Sequence, residues 1–340
     1  MHDAGADPGD GPAFRPAWWL PGGHLQTIYA ALALRGRPPA YRRIRWELDD
    51  GDFVDVDLVD GPADAPLVAL FHGLEGSSRS HYATALMRAV AARGWRGAVP
   101  HFRSCSGEPN RLARTYHSGD ADEIDQWVRR LAAFTSDSSR LFVAGVSLGG
   151  NALLKWLARE GPAALGRVTA AAAVCPPLDL TAAGQTLRHG FNRLIYTREF
   201  LRTLKPKALA KLDLHPGLFD REAMRRARDF DAFDDLYTAP VHGYAGVADY
   251  WRRASSKSDL DRIRVPTLIL NAQDDPFLPA AYLPPAGMAG PAAVLEQPLR
   301  GGHVGFVTGP FPGRVDWLPG RLLRFFDTTP VPTPAPEPTR

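Results

Sequence analysis

The chain has 340 residues, enough for one large domain or two smaller ones, and its 45% hydrophobic content is ordinary for a globular protein with a sizeable core. The formal net charge is +3, and the 35 arginines and 5 lysines are scattered along the sequence. The sequence therefore contains no nucleic-acid-binding stripe and no polybasic membrane anchor, and we expect no nucleic-acid partner.

The N-terminal region and the apolar runs bear on the location of the protein. Residues 1–13 are predicted to be disordered, and they lack the basic region and apolar region of a signal peptide. Apolar runs such as Ile28–Leu34 and Val168–Cys175 are far shorter than the roughly 20 residues of a membrane span, so no transmembrane segment is predicted. Cys105 and Cys175 are too few for a disulfide framework and are expected to stay reduced, which indicates a cytoplasmic protein.

Most of the chain alternates between predicted strands and helices. Strands that alternate with helices imply an α/β fold with a mostly parallel sheet and helices on both faces. The first two strands form a hairpin around the turn Asp49-Asp50-Gly51-Asp52. The predicted strands are Arg43–Leu48, Phe53–Val59, Leu67–His72, Trp95–Pro100, Leu141–Val146, Val168–Val174, Thr267–Asn271 and Ala293–Gln297. The predicted helices are His81–Arg93, a helix capped by Ser118 that ends near Phe134, Asn151–Arg159 and Val315–Phe326.

One stretch interrupts this alternation. Residues 178–262 contain no convincing strand but much helical sequence with many aromatic residues. Helices inserted between sheet strands are predicted to cap the carboxyl edge of the sheet, where open α/β sheets bind ligands. The main domain is predicted to span residues 14–327, and residues 328–340 form a Pro-rich tail that we expect to be solvated.

The strongest chemical motif is Gly145-Val146-Ser147-Leu148-Gly149, which has the form G-x-S-x-G. It follows a predicted strand and precedes a predicted helix, which is the context that gives this motif meaning. A sharp turn at this point exposes the Ser147 hydroxyl, so Ser147 is the candidate nucleophile. The alternative is a glycine-rich turn with an idle serine.

A serine nucleophile needs a base and an acid, which follow it along the chain in this fold. His303 is the only histidine after the predicted acid, and it lies in a loop after the last strand, which makes it the candidate general base. The acid is Asp274 or Asp275, because the strand Thr267–Asn271 leads into both. Adjacent side chains in an extended backbone point in opposite directions, and the following Pro276 and Pro279 favour Asp275.

The oxyanion hole requires two backbone donors. The N–H of Leu148, directly after the nucleophile, is one candidate, and the N–H of Leu74 in the loop Phe71–Gly76 is the other. His72 is expected to hold this loop by hydrogen bonding rather than to transfer protons. The sequence shows no metal-ligand spacing, dinucleotide loop or P-loop, so no metal and no cofactor are predicted.

These motifs together resemble the AB hydrolase-4 family of the α/β-hydrolase superfamily, which includes the YheT-like and embryogenesis-associated esterases. The resemblance covers about residues 14–327 and implies an esterase or lipase-like hydrolase of acyl esters without a cofactor. Trp18, Trp19 and Leu25 of its N-terminal signature are expected to pack against the domain rather than to touch substrate. The matching segments are Trp18–Thr27, Phe71–Gly76, His101–Glu108, Tyr116–Gly119, Gly145–Asn151, Asn271–Phe277 and Gly302–Phe306.

The sequence thus predicts a carboxylic ester hydrolase that uses Ser147, His303 and Asp275 and passes through an acyl-enzyme. The aromatic cap suggests a small-molecule ester with an apolar acyl group. Two other functions stay open: a thioesterase, amidase or acyltransferase with the same triad, and a small-molecule receptor without catalysis. The oligomeric state and the acyl chain length are not fixed by the sequence.

Overall fold

The computed structural model describes residues 12–135 and 139–330. The predicted disordered start and Pro-rich tail therefore lie almost entirely outside the described residues. The described chain forms one eight-stranded sheet with helices on both faces, which confirms the predicted α/β class. Among the described helices, none has both the length and the apolar character needed to cross a membrane.

The sheet has the strand order β1-β2-β4-β3-β5-β6-β7-β8. Strand β2 is antiparallel to β1 and β4, and all other neighbouring strands are parallel. The carboxyl ends of the parallel strands therefore meet at one edge, where loops can assemble a site. The strands are β1 (Arg42–Glu47), β2 (Phe53–Val59), β3 (Leu67–Phe71), β4 (Arg96–Pro100), β5 (Leu141–Val146), β6 (Ala170–Val174), β7 (Thr267–Leu270) and β8 (Ala293–Glu296).

The helices fall into two groups, those that flank the sheet and those that lie between β6 and β7. The flanking helices are α1 (Gly23–Ala33), α2 (His81–Ala92), α3 (Ala121–Ala132), α4 (Leu148–Glu160) and α12 (Trp317–Thr328). The inserted helices are α5 (Leu180–Leu187), α6 (Gly190–Asn192), α7 (Arg198–Leu214), α8 (Arg221–Arg226), α9 (Phe230–Phe233), α10 (Ala239–Val241) and α11 (Val247–Ala254).

The central strands are apolar throughout because both of their faces are covered. Every residue of β3, β5, β6 and β7 is buried. Trp127 of α3 and Trp156 of α4 belong to one apolar cluster, and Met87 of α2 and Phe326 of α12 belong to another. These two layers fix the sheet edge from which the loops of the site extend.

The cap of α3 differs from the sequence-based expectation. Asp120 caps the helix, and its carboxylate accepts a hydrogen bond from the Glu123 N–H at 3.3 Å. Ser118 lies too far upstream, and its hydroxyl instead accepts from the Asn151 side-chain amide at 3.1 Å. Ser118 therefore links the approach to α3 with the first turn of α4.

The inserted helices build a layer with its own apolar cluster, which includes Leu204, Met224 and Phe233. Residues 178–262 contain no strand. α6, a π-helical turn at Arg193–Thr197 and α7 form a single continuous helix from residue 190 to 214. Several side chains of this layer, which we call the cap, line the same cavity as Ser147.

Candidate active site

Ser147 occupies a sharp turn between β5 and α4. Its backbone has φ 52° and ψ −120°, an uncommon conformation for a residue with a side chain. The chain packs tightly around this turn, because a Cβ at Gly145 would lie 2.5 Å from the Gly149 oxygen and one at Gly149 would lie 2.4 Å from the Phe71 oxygen. Glycine is thus required at both positions, and the turn projects the Ser147 hydroxyl beyond the sheet.

The structure brings the three predicted catalytic side chains together in one hydrogen-bonded chain. Ser147 Oγ lies 2.9 Å from His303 Nε2, and His303 Nδ1 lies 2.8 Å from Asp275 Oδ2. The other Asp275 oxygen accepts a hydrogen bond from the Phe277 N–H at 2.7 Å. The Asp275 side chain is only 1% exposed, and the Phe277 ring stacks on the imidazole with 4.0 Å between centroids. The imidazole is therefore held in position from two sides.

Asp274 faces away from this chain of contacts. Its Oδ1 accepts a hydrogen bond from the Gly302 N–H at 2.8 Å, so it binds the loop that carries His303 rather than the imidazole. Burial raises the pKa of the Asp274 carboxyl. Of the two adjacent carboxylates, the geometry thus assigns contact with His303 to Asp275 alone.

Two backbone amides next to Ser147 are free to bind a developing oxyanion. Neither the Leu74 N–H nor the Leu148 N–H has a hydrogen-bond partner within residues 12–135 and 139–330. The amides on both sides of Leu74 are occupied, since Gly73 N–H donates to the Tyr82 hydroxyl and Glu75 N–H to the Tyr116 hydroxyl, each at 2.9 Å. The Leu74 N–H is thus left unpaired between two bonded neighbours.

Three side chains hold the loop Phe71–Gly76, which we call the oxyanion loop after its predicted role, by contacts that the sequence did not predict. Glu75 has φ 56°, and its Oε1 accepts hydrogen bonds from the Tyr116 hydroxyl at 3.0 Å and the Lys207 ammonium at 2.8 Å. Lys207 belongs to α7, so this pair links the loop to the cap. Tyr116 was identified only as part of a family motif, and no sequence pattern pointed to Lys207.

His72 is fully buried and bridges two backbone segments. Its Nδ1–H donates to the Gly73 oxygen at 2.8 Å, and its Nε2 accepts from the Phe102 N–H at 3.0 Å. Burial lowers the pKa of His72 to about 3, so the ring is neutral, as one donor and one acceptor require. The expected loop-holding contact is present.

The loop that carries His303 rests on α1 and α2. The His303 N–H donates to the Thr27 hydroxyl at 2.8 Å, and His81 donates from Nε2 to the Val304 oxygen at 2.9 Å. A Cβ at Gly302 would lie 2.4 Å from the Gly23 oxygen, so α1 and this loop are in direct backbone contact. Gly23 and Thr27 of the N-terminal signature thus position the imidazole.

The expectation that the large residues of this signature pack against the domain is wrong for two of the three. Trp18 is 84% exposed and Leu25 is 47% exposed. Trp19 does pack, against Tyr29 and Phe311, and its indole N–H donates to the Gly309 oxygen. The small and polar residues of α1 are the ones buried against the His303 loop, so the helix face that carries Leu25 is exposed to solvent.

Ser147 opens into a cavity between the sheet edge and the cap. The lining near the serine contains Leu74, Leu148 and Phe277, and its far wall is formed by cap side chains. The cap contributes mostly apolar groups, among them Leu180, Leu187, Phe200, Leu204, Phe230 and Trp251. Such a lining suits an apolar group next to the reacting bond.

A group of potential metal ligands overlaps the same site. Cys175 Sγ and ligand atoms of Asp275 and His303 all lie within 4.8 Å of one another. Burial raises the pKa of the Cys175 thiol well above its usual value, and Asp275 and His303 are bonded to each other. A metal would have to remove the thiol proton and break the pair, so this donor set fits a hydrogen-bonded triad better than a metal site.

Comparison with known proteins defines the class. Residues 66–310 match the sequence profile of the α/β-hydrolase fold family. In structure, the Pyrococcus furiosus esterase Pf2001 is similar with a TM-score of 0.53 at 14% identity, covering 85% of this chain and 91% of that one, which shows the shared fold alone. The chain is therefore an α/β-hydrolase.

Similar proteins of known sequence indicate which family of α/β-hydrolases the chain belongs to. The chain is 41% identical over 315 residues to the putative esterase YheT of Escherichia coli (strain K12), covering 90% of each protein. It is 26% identical over 314 residues to the phospholipase ABHD3 of Mus musculus, covering 90% of this chain and 76% of that protein. The protein belongs to the AB hydrolase-4 family, as its sequence motifs indicated.

Proposed function

We propose that this protein hydrolyses carboxylic esters, with Ser147 as the nucleophile, His303 as the general base and Asp275 as the carboxylate that orients His303. The observation that supports this most strongly is the continuous chain of short contacts from Ser147 Oγ through the imidazole to Asp275. Relatives named as an esterase and a phospholipase agree with ester chemistry.

The reaction proceeds in two steps on this arrangement. His303 Nε2 removes the hydroxyl proton while Ser147 Oγ attacks the ester carbonyl, and the Leu74 and Leu148 N–H groups stabilise the oxyanion. The tetrahedral intermediate collapses to an acyl-serine, and the alcohol leaves with the proton from His303. Water then attacks the acyl-serine with the same base, which releases the acid and restores the serine.

The substrate that fits best is a small ester with an apolar acyl group. Apolar cap side chains such as Leu187, Phe200 and Leu204 dominate the far wall of the cavity, where the acyl chain would lie. The same triad would also cleave thioesters, so the ratio of ester to thioester turnover decides between these two substrate classes. We place the enzyme in the cytoplasm, where Cys105 and Cys175 would stay free as they are here.

The test replaces the nucleophile. Ser147→Ala should abolish hydrolysis of p-nitrophenyl butyrate and labelling by a fluorophosphonate, because both reactions require the serine oxygen. Ser106→Ala is the matched control, since that hydroxyl binds Asp55 at a distance from the cavity, and it should keep both properties. Full turnover by the Ser147→Ala protein would refute the proposal.

A further inference from the structure

A second groove lies on the cap, on the opposite side of α7 from the active-site cavity. Phe200, Leu204 and Lys207 of α7 line the cavity, whereas Leu201 and Leu209 line the groove. Six of the eleven residues that line the groove are cationic, and none is acidic. The six are Arg193, Arg198, Arg202, Lys205, Arg225 and Arg228.

Much of this positive charge is not neutralised. Arg202 pairs with Glu199, and Arg225 pairs with Glu222. Arg193, Arg198 and Arg228 have no acidic partner in the part of the chain that the structure describes, and all three are exposed. A concave surface with several unpaired cations concentrates positive potential and attracts anions.

Exposed apolar side chains adjoin these arginines. On the continuous helix, Phe191, Leu194 and Ile195 are 50%, 66% and 42% exposed, and Leu194 itself lines the groove. Across from them, the His24 ring of α1 lies 4.7 Å from the Phe191 ring, next to the exposed Leu25. Exposed apolar groups interspersed with arginines are typical of surfaces that lie in a membrane interface.

This surface is connected to the triad by a short series of ring contacts. The Phe191 ring contacts His24, which stacks on Tyr196 with 5.8 Å between centroids. Tyr196 contacts Phe277 at 4.8 Å, and Phe277 stacks on His303. A bilayer on this surface would therefore lie only a few side chains from the reacting serine.

We propose that the cap groove and the exposed residues Phe191, Leu194 and Ile195 dock the protein on an anionic phospholipid bilayer. The arginines contact lipid phosphates, and the apolar side chains enter the interface between headgroups and acyl chains. Nucleic acid and acidic proteins also attract cations, but neither requires two exposed aliphatic side chains beside the arginines. This proposal concerns binding of the protein to a membrane surface, and it therefore goes beyond the proposed reaction.

The experiment measures vesicle binding without turnover. The full chain is sedimented with vesicles of phosphatidylcholine containing about a third phosphatidylglycerol, and with vesicles of phosphatidylcholine alone, at about 0.1 M salt. The variant Arg193→Glu/Arg198→Glu/Arg228→Glu tests the cations, and Leu194→Ser/Ile195→Ser tests the apolar part. Arg15→Glu/Arg88→Glu/Arg264→Glu is the matched control, because these exposed arginines lie outside the groove and change the net charge equally.

The expected result is binding of the wild-type protein to the anionic vesicles, reduced at least about tenfold in the groove triple variant and in the Leu194/Ile195 variant. The control should bind like the wild type, and all variants should hydrolyse soluble p-nitrophenyl butyrate at the wild-type rate. Equal loss in the control and the groove variant would overturn the proposal, as would tighter binding to an oligonucleotide at equal phosphate concentration. If the wild-type protein binds the vesicles but does not hydrolyse the ester, the proposed reaction is refuted while the docking proposal is supported.

Discussion

At the scale of single residues, the site depends on which atoms are left without a protein partner. Among the described residues, Ser147 Oγ forms a hydrogen bond only with the imidazole, and the Leu74 N–H is free while those of Gly73 and Glu75 are both bonded. In the proposed reaction, a substrate oxygen would meet donors that need no reorganisation, which is the condition for strong electrostatic stabilisation of a transition state. The uncommon φ of Ser147 has a conformational cost of about 1–3 kcal/mol that the surrounding packing must offset.

The adjacent carboxylates give a test of the orienting residue. Asp275→Asn should lower kcat by about 10³–10⁴-fold, because an amide can donate to Nδ1 and hold the wrong tautomer. Asp274→Asn keeps an oxygen that can accept from the Gly302 N–H and should retain activity within about tenfold. Steady-state kinetics on p-nitrophenyl butyrate compares the two, and a larger loss in Asp274→Asn would reverse the assignment.

The sequence predicted the side chains that meet at the candidate site better than the residues that hold them in place. Ser147 and His303 could be predicted because a short motif and the order of the residues along the chain point to them. The sequence also favoured Asp275 over Asp274 through the following Pro276 and Pro279, but which of the two carboxylates contacts His303 depends on the direction of a single side chain after β7. Lys207 could not be found in advance, since its contact with Glu75 joins positions 132 residues apart through the packing of the cap.

At the scale of elements, the oxyanion loop depends on the cap as well as on the sheet. Tyr116 accepts the Glu75 N–H and donates to the Glu75 carboxylate, and Lys207 of α7 reaches the same carboxylate. The backbone of Glu75 is in the left-handed region, where a residue with a side chain needs such support. A movement of α7 would therefore alter the donor at Leu74.

Removing one hydroxyl tests this support. Tyr116→Phe leaves the Glu75 N–H and the largely buried Glu75 carboxylate without the tyrosine hydroxyl, so kcat should fall about tenfold with KM changed less than twofold. Lys207→Met should have a smaller effect, below about fivefold, because its partly exposed ion pair contributes about 1 kcal/mol or less.

The control for this test is Tyr41→Phe, which removes a tyrosine hydroxyl bonded to the Ser78 oxygen. It should leave both kinetic constants near the wild-type values. An effect of Tyr116→Phe that appears in KM alone would contradict a role in holding the oxyanion donor, and would instead indicate a role in substrate binding.

Some element-scale features were accessible from the sequence, and others were not. Helical patterning predicted a cap at residues 178–262, because a long helical stretch between two strands has to leave the sheet. The cationic groove could not be predicted. Its arginines are spread from position 193 to 228 and become neighbours only when α7 and α8 pack together.

At the scale of the whole molecule, buried neutral histidines join separate parts of the fold. His72 links the oxyanion loop to the segment after β4, and His81 links α2 to the His303 loop. His117 precedes α3 and contacts cap residues His242 and Tyr250. Burial lowers the pKa to about 3 for His72 and to about 4 for His81 and His117. Protonation of these histidines at low pH therefore disturbs several of these contacts together.

These shifts predict that the protein loses stability between pH 6.5 and 4. In this range the histidines of the unfolded chain, which have ordinary pKa values, bind more protons than those of the folded protein. The free energy of unfolding therefore rises with pH, and the contribution of these histidines reaches its full value above about pH 6.5. For His117 the difference amounts to about 3 kcal/mol. His117→Asn keeps an oxygen that can accept from the Gly119 N–H and does not titrate, so its urea unfolding should depend less on pH. The exposed His189→Asn should show the wild-type slope, and a His117→Asn protein with that same slope would exclude His117 as a source of acid sensitivity.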